Sequence, residues 1–192
     1  MEIENKYLVS CSSDKSIIFY LKDNNKYIKN YQISANGPCY CINQIKENEI
    51  CYSETINNNN ICFFDINERK IKSSISNISK SYLSPFILIS KELLFISGEN
   101  KISIINISEY ELIREIEVSN SGWIRGACML NENIILTGDD KSNIREWKIE
   151  RDNLILISKK EKAHNSYIIN TLINMGNGYI ASGSDDHRIK IW

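Results

Sequence analysis

Short apolar runs separated by polar turns follow one another along the whole chain. Paired runs flank turns rich in Gly, Asn, Asp and Ser: Tyr7–Ser12 with Ile17–Leu21, Glu49–Ser53 with Ile61–Ile66, Leu93–Ser97 with Ile102–Ile107, Ile134–Thr137 with Ile144–Ile149, and Tyr179–Ser182 with Ile189–Trp192. Short runs rich in β-branched and aromatic residues and bounded by turn residues are typical of two strands joined by a turn. The 3.6-residue spacing of an amphipathic helix is missing. The pattern therefore predicts an all-β fold.

Further runs extend each pair to a larger unit. Runs before the pairs are Cys41–Lys46, Ile124–Leu130 and Ile168–Ile173, and runs after them are Tyr27–Ile33, Ile71–Ile75, Leu112–Val118 and Leu154–Ser158. This gives four antiparallel strands per unit. The first unit is expected to begin near its second strand and the last to stop at its third. Strands such as Ile17–Tyr20 and Ile61–Phe64 are apolar at consecutive positions, which indicates burial on both faces.

The units form an internal repeat. Aligned on the final aromatic or apolar residue of the repeated stretch, they have their anchors at Tyr20, Phe64, Ile105, Trp147 and Trp192, at intervals of 44, 41, 42 and 45 residues, and an isoleucine stands three places before each anchor. This period, with four strands per repeat, indicates a β-propeller. We predict an all-β β-propeller of four-stranded antiparallel blades, about four and a half in a partial or incomplete ring. The units span approximately residues 1–36, 37–78, 79–119, 120–163 and 164–192.

The closing stretch Ser182–Trp192, SGSDDHRIKIW, resembles the second half of a WD-repeat unit, whose usual form is S-G-S-x-D-x-T-I-K-I-W-D. The similarity is weaker at Ser10–Tyr20 and Thr137–Trp147, and weakest at Phe64-Asp65 and Ile105-Asn106. Spread over these units, the resemblance to the WD-repeat β-propeller family covers essentially the whole chain.

This resemblance implies a hydrogen-bonded staple in the last blade, made of His164, Ser182, Asp186 and Trp192. The imidazole can donate to the carboxylate, while the hydroxyl and the indole N–H complete the network. Ser, His and Asp also form hydrolase triads. Ser182 lies within a predicted strand, however, and the chain has no G-x-S-x-G turn. No catalytic residue is therefore predicted.

The fourth unit keeps only part of the staple pattern. Thr137 and Trp147 occupy the hydroxyl and indole positions, but Lys141 falls where the acid is expected and Asn120 where the histidine is expected. On this alignment the fourth blade lacks the acid of its staple.

An aromatic residue precedes the innermost strand in four successive units: Tyr40, Tyr82, Trp123 and Tyr167, at intervals of 42, 41 and 44 residues. The resemblance implies that this position lies near the channel mouth, on the partner-binding face, where aromatic side chains favour binding. Alternatively, each ring packs on the preceding blade. Trp123 is expected to be the most exposed, because the residues before it are small and polar. Arg125, Arg145 and Arg188 are candidates for bidentate contacts to a partner carboxylate, or are solvated surface arginines.

The charge and composition of the chain limit the classes of partner and ligand that we expect it to bind. The net charge is −1, from 23 basic and 24 acidic residues, so no long-range field favours nucleic acid or membrane. No apolar run approaches the roughly 18 residues of a spanning helix, and the N-terminus does not resemble a secretory signal. Among six cysteines, Cys39 and Cys41 form a C-x-C, but zinc needs four ligands. We expect buried free thiols, no metal, no cofactor and a cytoplasmic location.

The resulting functional hypothesis is a non-catalytic scaffold that binds other proteins or peptides. One alternative is the substrate-recognition propeller of a larger ubiquitin ligase or kinase. A less favoured alternative is an enzyme that uses the propeller channel, because the innermost strands carry few carboxylates or histidines. Because the chain holds only about four and a half repeat units, we also expect that blades or domains outside this chain belong to the same propeller. A five-bladed ring, or closure by a partner chain, remains open.

Overall fold

The computed structural model of the chain describes residues 1–3, 6–24, 26–56, 59–79 and 83–192. It divides into two compact units, Met1–Leu83 and Ser84–Trp192. The regular structure of the described residues consists of β-strands, with no helix among them. Accordingly, no helix that could cross a membrane occurs in this part of the chain.

The first unit contains two four-stranded antiparallel sheets in the orders β1-β2-β3-β4 and β5-β6-β7-β8. Its strands are β1 Glu2–Ile3, β2 Tyr7–Cys11, β3 Ser16–Asp23, β4 Lys26–Ser34, β5 Ile42–Lys46, β6 Glu49–Glu54, β7 Asn59–Asp65 and β8 Lys70–Ser79. We call these sheets the first and second blades. Their shared core includes Val9, Phe19, Tyr52 and Phe64.

The second unit contains two four-stranded sheets, β9-β10-β11-β12 and β13-β14-β15-β16, and the three-stranded sheet β17-β18-β19. Its strands are β9 Phe86–Leu88, β10 Leu93–Gly98, β11 Lys101–Asn106, β12 Glu111–Glu117, β13 Ile124–Asn131, β14 Ile134–Asp139, β15 Ile144–Glu150, β16 Asn153–Lys160, β17 Ile169–Gly176, β18 Tyr179–Ser184 and β19 Ile189–Ile191. These sheets are the third, fourth and fifth blades.

The predicted fold class is confirmed. The described residues form five small antiparallel sheets, four with four strands and the last with three, which are blades of a β-propeller. Two short strands were not predicted, β1 and β9. The first blade therefore does not begin at its second strand, because Glu2 and Ile3 pair with Leu8 and Tyr7. The boundaries proposed for the five repeat units stay a prediction.

Apolar side chains fill the spaces between neighbouring blades of the second unit. One core, between the third and fourth blades, includes Phe95, Ile104, Ile135 and Trp147. Another, between the fourth and fifth blades, includes Leu136, Ile144, Ile169 and Leu172. Blades covered on two faces need strands that are apolar at consecutive positions. Strand β10 follows this rule, since Leu94, Phe95 and Ile96 are all fully buried.

A β-bulge recurs at the same place in the first four blades. The register between the third and fourth strands shifts immediately before each anchor residue, at Phe19/Tyr20, Phe63/Phe64, Ile104/Ile105 and Glu146/Trp147. The outermost strand carries the extra residue, and such an insertion bends a strand and increases its twist. The repeat in sequence is thus also a repeat in backbone geometry.

Candidate functional site

The four predicted staple residues of the fifth blade form one chain of hydrogen bonds. Trp192 Nε1–H donates to Ser182 Oγ at 2.8 Å, and Ser182 Oγ lies 2.6 Å from His164 Nε2. His164 Nδ1 lies 2.9 Å from Asp186 Oδ2. With the proton on Nδ1, the imidazole donates to the carboxylate and accepts from the hydroxyl, so that each group has a partner. His164 and Ser182 are fully buried, where an unpaired polar group is costly.

A tight turn between β18 and β19 positions Asp186. His187 has a φ of 61°, so the short hairpin loop contains one left-handed residue. Asp186 Oδ1 accepts the N–H of Arg188 at 3.0 Å, and the N–H of Asp186 donates to Ser184 Oγ at 3.2 Å. In the first blade, Asp14 accepts the N–H of Ser16 at 2.8 Å in the same way. Aspartate is suited to this position because its short side chain hydrogen-bonds the backbone two residues ahead.

The hydrogen bonds of the staple also set the charge state of Asp186. Burial acts to raise the pKa of this carboxyl, but the hydrogen bonds from His164 and the N–H of Arg188, with the electrostatic attraction of the His164 ring and the Lys190 ammonium, outweigh it. The net effect is a pKa below the ordinary value. Asp186 is therefore a carboxylate at neutral pH and is matched to a donating imidazole.

The fourth blade has a staple of different composition. Trp147 Nε1–H donates to Thr137 Oγ1 at 2.9 Å, as predicted by alignment with the fifth blade. The acid, however, is Asp139 and not a residue at position 141. Asp139 is fully buried and accepts the N–H groups of Lys141 and Asn143, each at 2.9 Å. The side chain of Lys141 is exposed. The expectation that this blade lacks an acid is therefore wrong.

Arg145 completes the fourth-blade staple and is not a surface residue. Its guanidinium contacts the Asp139 carboxylate and donates to the carbonyl of Ser119 at 3.2 Å. Its side chain is only 2% exposed. The prediction that Arg145 contributes to partner binding is wrong, because its planar fork of N–H donors is occupied inside the blade. Lys190, two residues before Trp192 as Arg145 is before Trp147, similarly reaches the carbonyl of Ala163 at 2.5 Å.

The second blade uses a third combination. Glu54 is 1% exposed and accepts the backbone N–H and the side-chain amide of Asn36, at 3.0 and 3.3 Å. Sequence reasoning missed both Glu54 and Asp139. The signal was present, because each is the acidic last residue of the second strand in its blade. In the second and fifth blades the carboxylate contacts the segment that leads into the innermost strand directly. In the fourth blade the link from Asp139 passes through Arg145 to the carbonyl of Ser119.

The aromatic series is placed unevenly. Tyr40 in the first unit and Tyr167 in the second are exposed, by 45% and 54%. Trp123 is only partly exposed, because the Arg125 guanidinium lies 4.7 Å from its ring centroid. The expectation that Trp123 is the most exposed of the series is therefore wrong. Tyr82 lies outside the described residues.

Trp123 belongs to a compact cluster with Arg125 and Asp140. Arg125 Nε lies 2.5 Å from Asp140 Oδ1, and the N–H of Asp140 donates to the carbonyl of Trp123 at 3.0 Å. A guanidinium over an indole face gains a cation–π attraction. Next to the cluster lies an open groove of about 860 Å³, whose lining includes Gly122 and Lys141. The cluster thus presents a preformed edge of aromatic and charged groups.

Tyr167 and Arg188 line one small cavity of about 230 Å³, together with Asn165, Asp185, Asp186 and His187. The backbone N–H of Tyr167 donates to the carbonyl of His164 at 2.9 Å. The loop that presents the tyrosine is therefore fixed at the staple. Arg188 is exposed. The structure thus brings Tyr167 and Arg188 together, whereas Arg145 does not belong to the partner-binding residues.

Three of the six cysteines, Cys39, Cys51 and Cys62, are buried, and the other three are partly exposed. None of the six forms a disulfide. Burial raises the pKa of Cys39 and Cys62 to about 12 and that of Cys128 to about 11. Within the described ranges, no three or more His, Cys, Asp or Glu side chains are grouped as a metal site requires. These pKa values favour inert thiols.

Comparison with known proteins agrees with the geometry of the fifth blade. Residues 157–192 match the family model described as WD domain, G-beta repeat. Over 102 residues the chain is 23% identical to WD repeat-containing protein 55 of Rattus norvegicus and 24% identical to the protein of the same name from Mus musculus. Each match covers 53% of this chain and 26% of the relative, so the chain spans about a quarter of the length of these relatives. The predicted resemblance of the chain to the WD-repeat β-propeller family is confirmed.

Proposed function

We propose that the chain is a protein-interaction scaffold that recruits its partner through Trp123, Arg125, Tyr167 and Arg188, which we call the aromatic–arginine surface. Its members lie where the fourth and fifth blades begin their innermost strands and in the adjoining fifth-blade turn. WD-repeat proteins are in general non-catalytic scaffolds. The proposal extends this general role to particular residues of this chain.

The observation that carries the proposal is the fixed exposure of Tyr167. More than half of its surface is in solvent, yet its backbone is hydrogen-bonded to His164. A partner can therefore bury a large aromatic side chain without first ordering the loop. Aromatic and arginine side chains of this kind dominate binding energy at protein interfaces, and preorganisation lowers the cost of association.

The guanidinium of Arg188, beside Tyr167, offers one contact to a partner carboxylate. Asp185 accepts from Asn170 Nδ2 at 2.5 Å, and Asp186 is engaged by His164. Among the described residues no ion pair involves the guanidinium of Arg188. A guanidinium in this state can bind a carboxylate in a bidentate manner.

The test compares partner capture by purified wild-type chain and single variants in native cell extract. Tyr167→Ala and Trp123→Ala are each expected to weaken capture by about thirtyfold, which corresponds to about 2 kcal/mol. Tyr27→Ala on the outer strand β4 is the matched control, since Tyr27 is also exposed, and is expected to change capture less than threefold. Each variant is first checked for unchanged unfolding in urea.

Two results would contradict the proposal. If Tyr167→Ala and Trp123→Ala fold normally and capture the same partners as wild type, the binding surface lies elsewhere. If both variants lose stability, the rings serve packing. None of the described residues favours a role in a ubiquitin ligase or a kinase.

A further inference from the structure

A polar groove of about 860 Å³ lies between the third and fourth blades. Its lining comes from residues 99–101 at the turn between β10 and β11, from Glu117 with the loop that follows β12, and from Lys141 between β14 and β15. Every lining residue thus belongs to the second unit. We call this feature the interblade groove.

The loop that follows β12 is fixed by hydrogen bonds within the blades. The N–H of Asn100 donates to the carbonyl of Gly122 at 2.7 Å, and the N–H of Gly122 donates to Asn100 Oδ1 at 2.8 Å. In addition, the guanidinium of the buried Arg145 donates to the carbonyls of Ser119 and Asn120, at 3.2 and 3.4 Å. A ligand therefore does not have to order this loop, and such preorganisation lowers the cost of binding.

Gly122 leaves room for Lys141 beside the loop. It has a φ of 62°, which glycine adopts without strain. A Cβ at this position would lie 3.2 Å from Asp140 Cβ and 3.7 Å from Lys141 Cε. The end of the Lys141 side chain therefore lies against the backbone of the loop. Since Lys141 is exposed and lines the groove, its ammonium is accessible to a ligand there.

Two opposite charges of the interblade groove are not neutralised within the described part of the chain. Among these residues, neither the ammonium of Lys141 nor the carboxylate of Glu117 forms an ion pair or a hydrogen bond. Lys101 stands opposite Glu117 across the strands, but its ammonium pairs with Glu115 at 3.0 Å. The lining holds two acidic and two basic residues. A segment that carries charges of both signs is therefore complementary to it.

We propose that the interblade groove binds an extended peptide segment of the partner, with a basic side chain beside Glu117 and an acidic side chain beside Lys141. The inference rests on the proposed function, because the groove adjoins the aromatic–arginine surface. The N–H of Asp140, the residue before Lys141, donates to the carbonyl of Trp123 at 3.0 Å. Glu99, which also lines the groove, pairs with Trp123 in an antiparallel bridge. An open groove of this volume reaches the upper range of small-molecule pockets and has room for several residues of a chain.

The probe is a library of random linear peptides displayed on phage and selected on the immobilised full chain. An enriched peptide is then titrated against purified variants by fluorescence anisotropy. Glu117→Lys and Lys141→Glu are each expected to weaken its binding by at least about tenfold, because an attraction becomes a repulsion. Replacing the basic residue of the peptide by glutamate is expected to restore binding to Glu117→Lys alone. Replacing its acidic residue by lysine is expected to restore binding to Lys141→Glu alone.

The matched controls are Lys91→Glu and Glu111→Lys in the third blade. Both side chains are exposed and lie outside the groove lining. Each control is expected to change peptide binding by less than about twofold, because exposed charges away from the ligand are screened by salt. A urea unfolding curve verifies that each variant is folded.

Each other outcome overturns the inference. Selection without an enriched peptide, or enriched peptides that bind Glu117→Lys and Lys141→Glu as tightly as wild type, would show that the groove is not a peptide site. Equal losses in the control variants would show a general effect of charge. The proposed function fails separately, when Trp123→Ala and Tyr167→Ala capture the partner like wild type. The groove inference fails alone when these two variants weaken capture but the groove variants leave peptide binding unchanged.

Discussion

Two neighbouring aspartates of the fourth blade each form an ion pair with an arginine. Comparing the two pairs shows how burial changes the contribution of an ion pair to the free energy of unfolding. Asp139 is fully buried and contacts Arg145, whose side chain is 2% exposed. Asp140 is 20% exposed and contacts Arg125, which is 35% exposed. The two pairs have the same chemistry and adjacent positions in sequence. They therefore differ mainly in access to water.

We expect Arg145→Ala to destabilise the second unit by about 3 kcal/mol. Removing one partner of a buried ion pair typically costs about 3–5 kcal/mol, because the remaining charge is left without compensation. The lower end applies here, since Asp139 keeps the N–H groups of Lys141 and Asn143 and the Asn143 amide as donors. Arg125→Ala is expected to cost only about 1 kcal/mol, from an exposed ion pair and a cation–π contact.

The assay is urea unfolding followed by tryptophan fluorescence. All three tryptophans, Trp123, Trp147 and Trp192, lie in the second unit, so the signal reports that unit. The difference of about 2 kcal/mol between the two variants corresponds to roughly thirtyfold in the unfolding equilibrium. An Arg145→Ala variant within 1 kcal/mol of Arg125→Ala, with an unchanged slope against urea, would refute the reasoning that Asp139 depends on this guanidinium.

Three further predictions concern the fifth-blade staple and the thiols. His164→Ala should lower the free energy of unfolding of the second unit in urea by about 1–3 kcal/mol, because buried partners lose their hydrogen bonds. His187→Asn, at an exposed left-handed position, should leave this free energy unchanged. Equal losses of stability in the two variants would contradict the role assigned to His164. Since the pKa of Asp186 is lowered in the folded chain, its contribution to stability is present above the unfolded pKa near 4 and is lost as pH falls through the folded pKa. The stability of Asp186→Asn should therefore depend less on pH below about pH 4 than that of wild type. Acid unfolding curves parallel to those of wild type would contradict this. At pH 8, Cys39 and Cys62 with a pKa of about 12 should be alkylated by iodoacetamide only after unfolding, as read by mass spectrometry; rapid modification in the folded chain would show that they are accessible thiolates.

Elements that depend on repetition could be predicted from the sequence. The five strand pairs and their four-strand grouping follow from a pattern seen several times, and the partners of His164 follow from the resemblance to the WD-repeat family. Strand β9 was missed because only Phe86, Ile87 and Leu88 belong to it, too short a run to give a period. Local patterns identify elements, and short strands are defined by the neighbours they pair with.

The site residues that were missed or misplaced depend on tertiary contacts. The alignment of Arg145 with Lys190 gave no sign that Arg145 is buried, because burial of the guanidinium is set by the position of Asp139. The exposure of Trp123 was misjudged because the small residues before it gave no sign that Arg125 lies over the ring. Glu54 and Asp139 satisfy the same need as Asp186 from another position. A motif search detects one residue type at one position. The hydrogen bonds of the segment before the innermost strand can, however, be satisfied by several residue types.

The bulge before each anchor residue has a consequence for how such a chain can be duplicated and assembled. Because the extra residue belongs to the outermost strand, a copied unit carries its own curvature and needs no adjustment from its neighbours. The bent strand also forms the free border of its blade, where a straight border would recruit strands from other molecules. Its twist interrupts the row of outward N–H and C=O groups. A repeat with this bulge can be multiplied without multiplying sites for fibril growth.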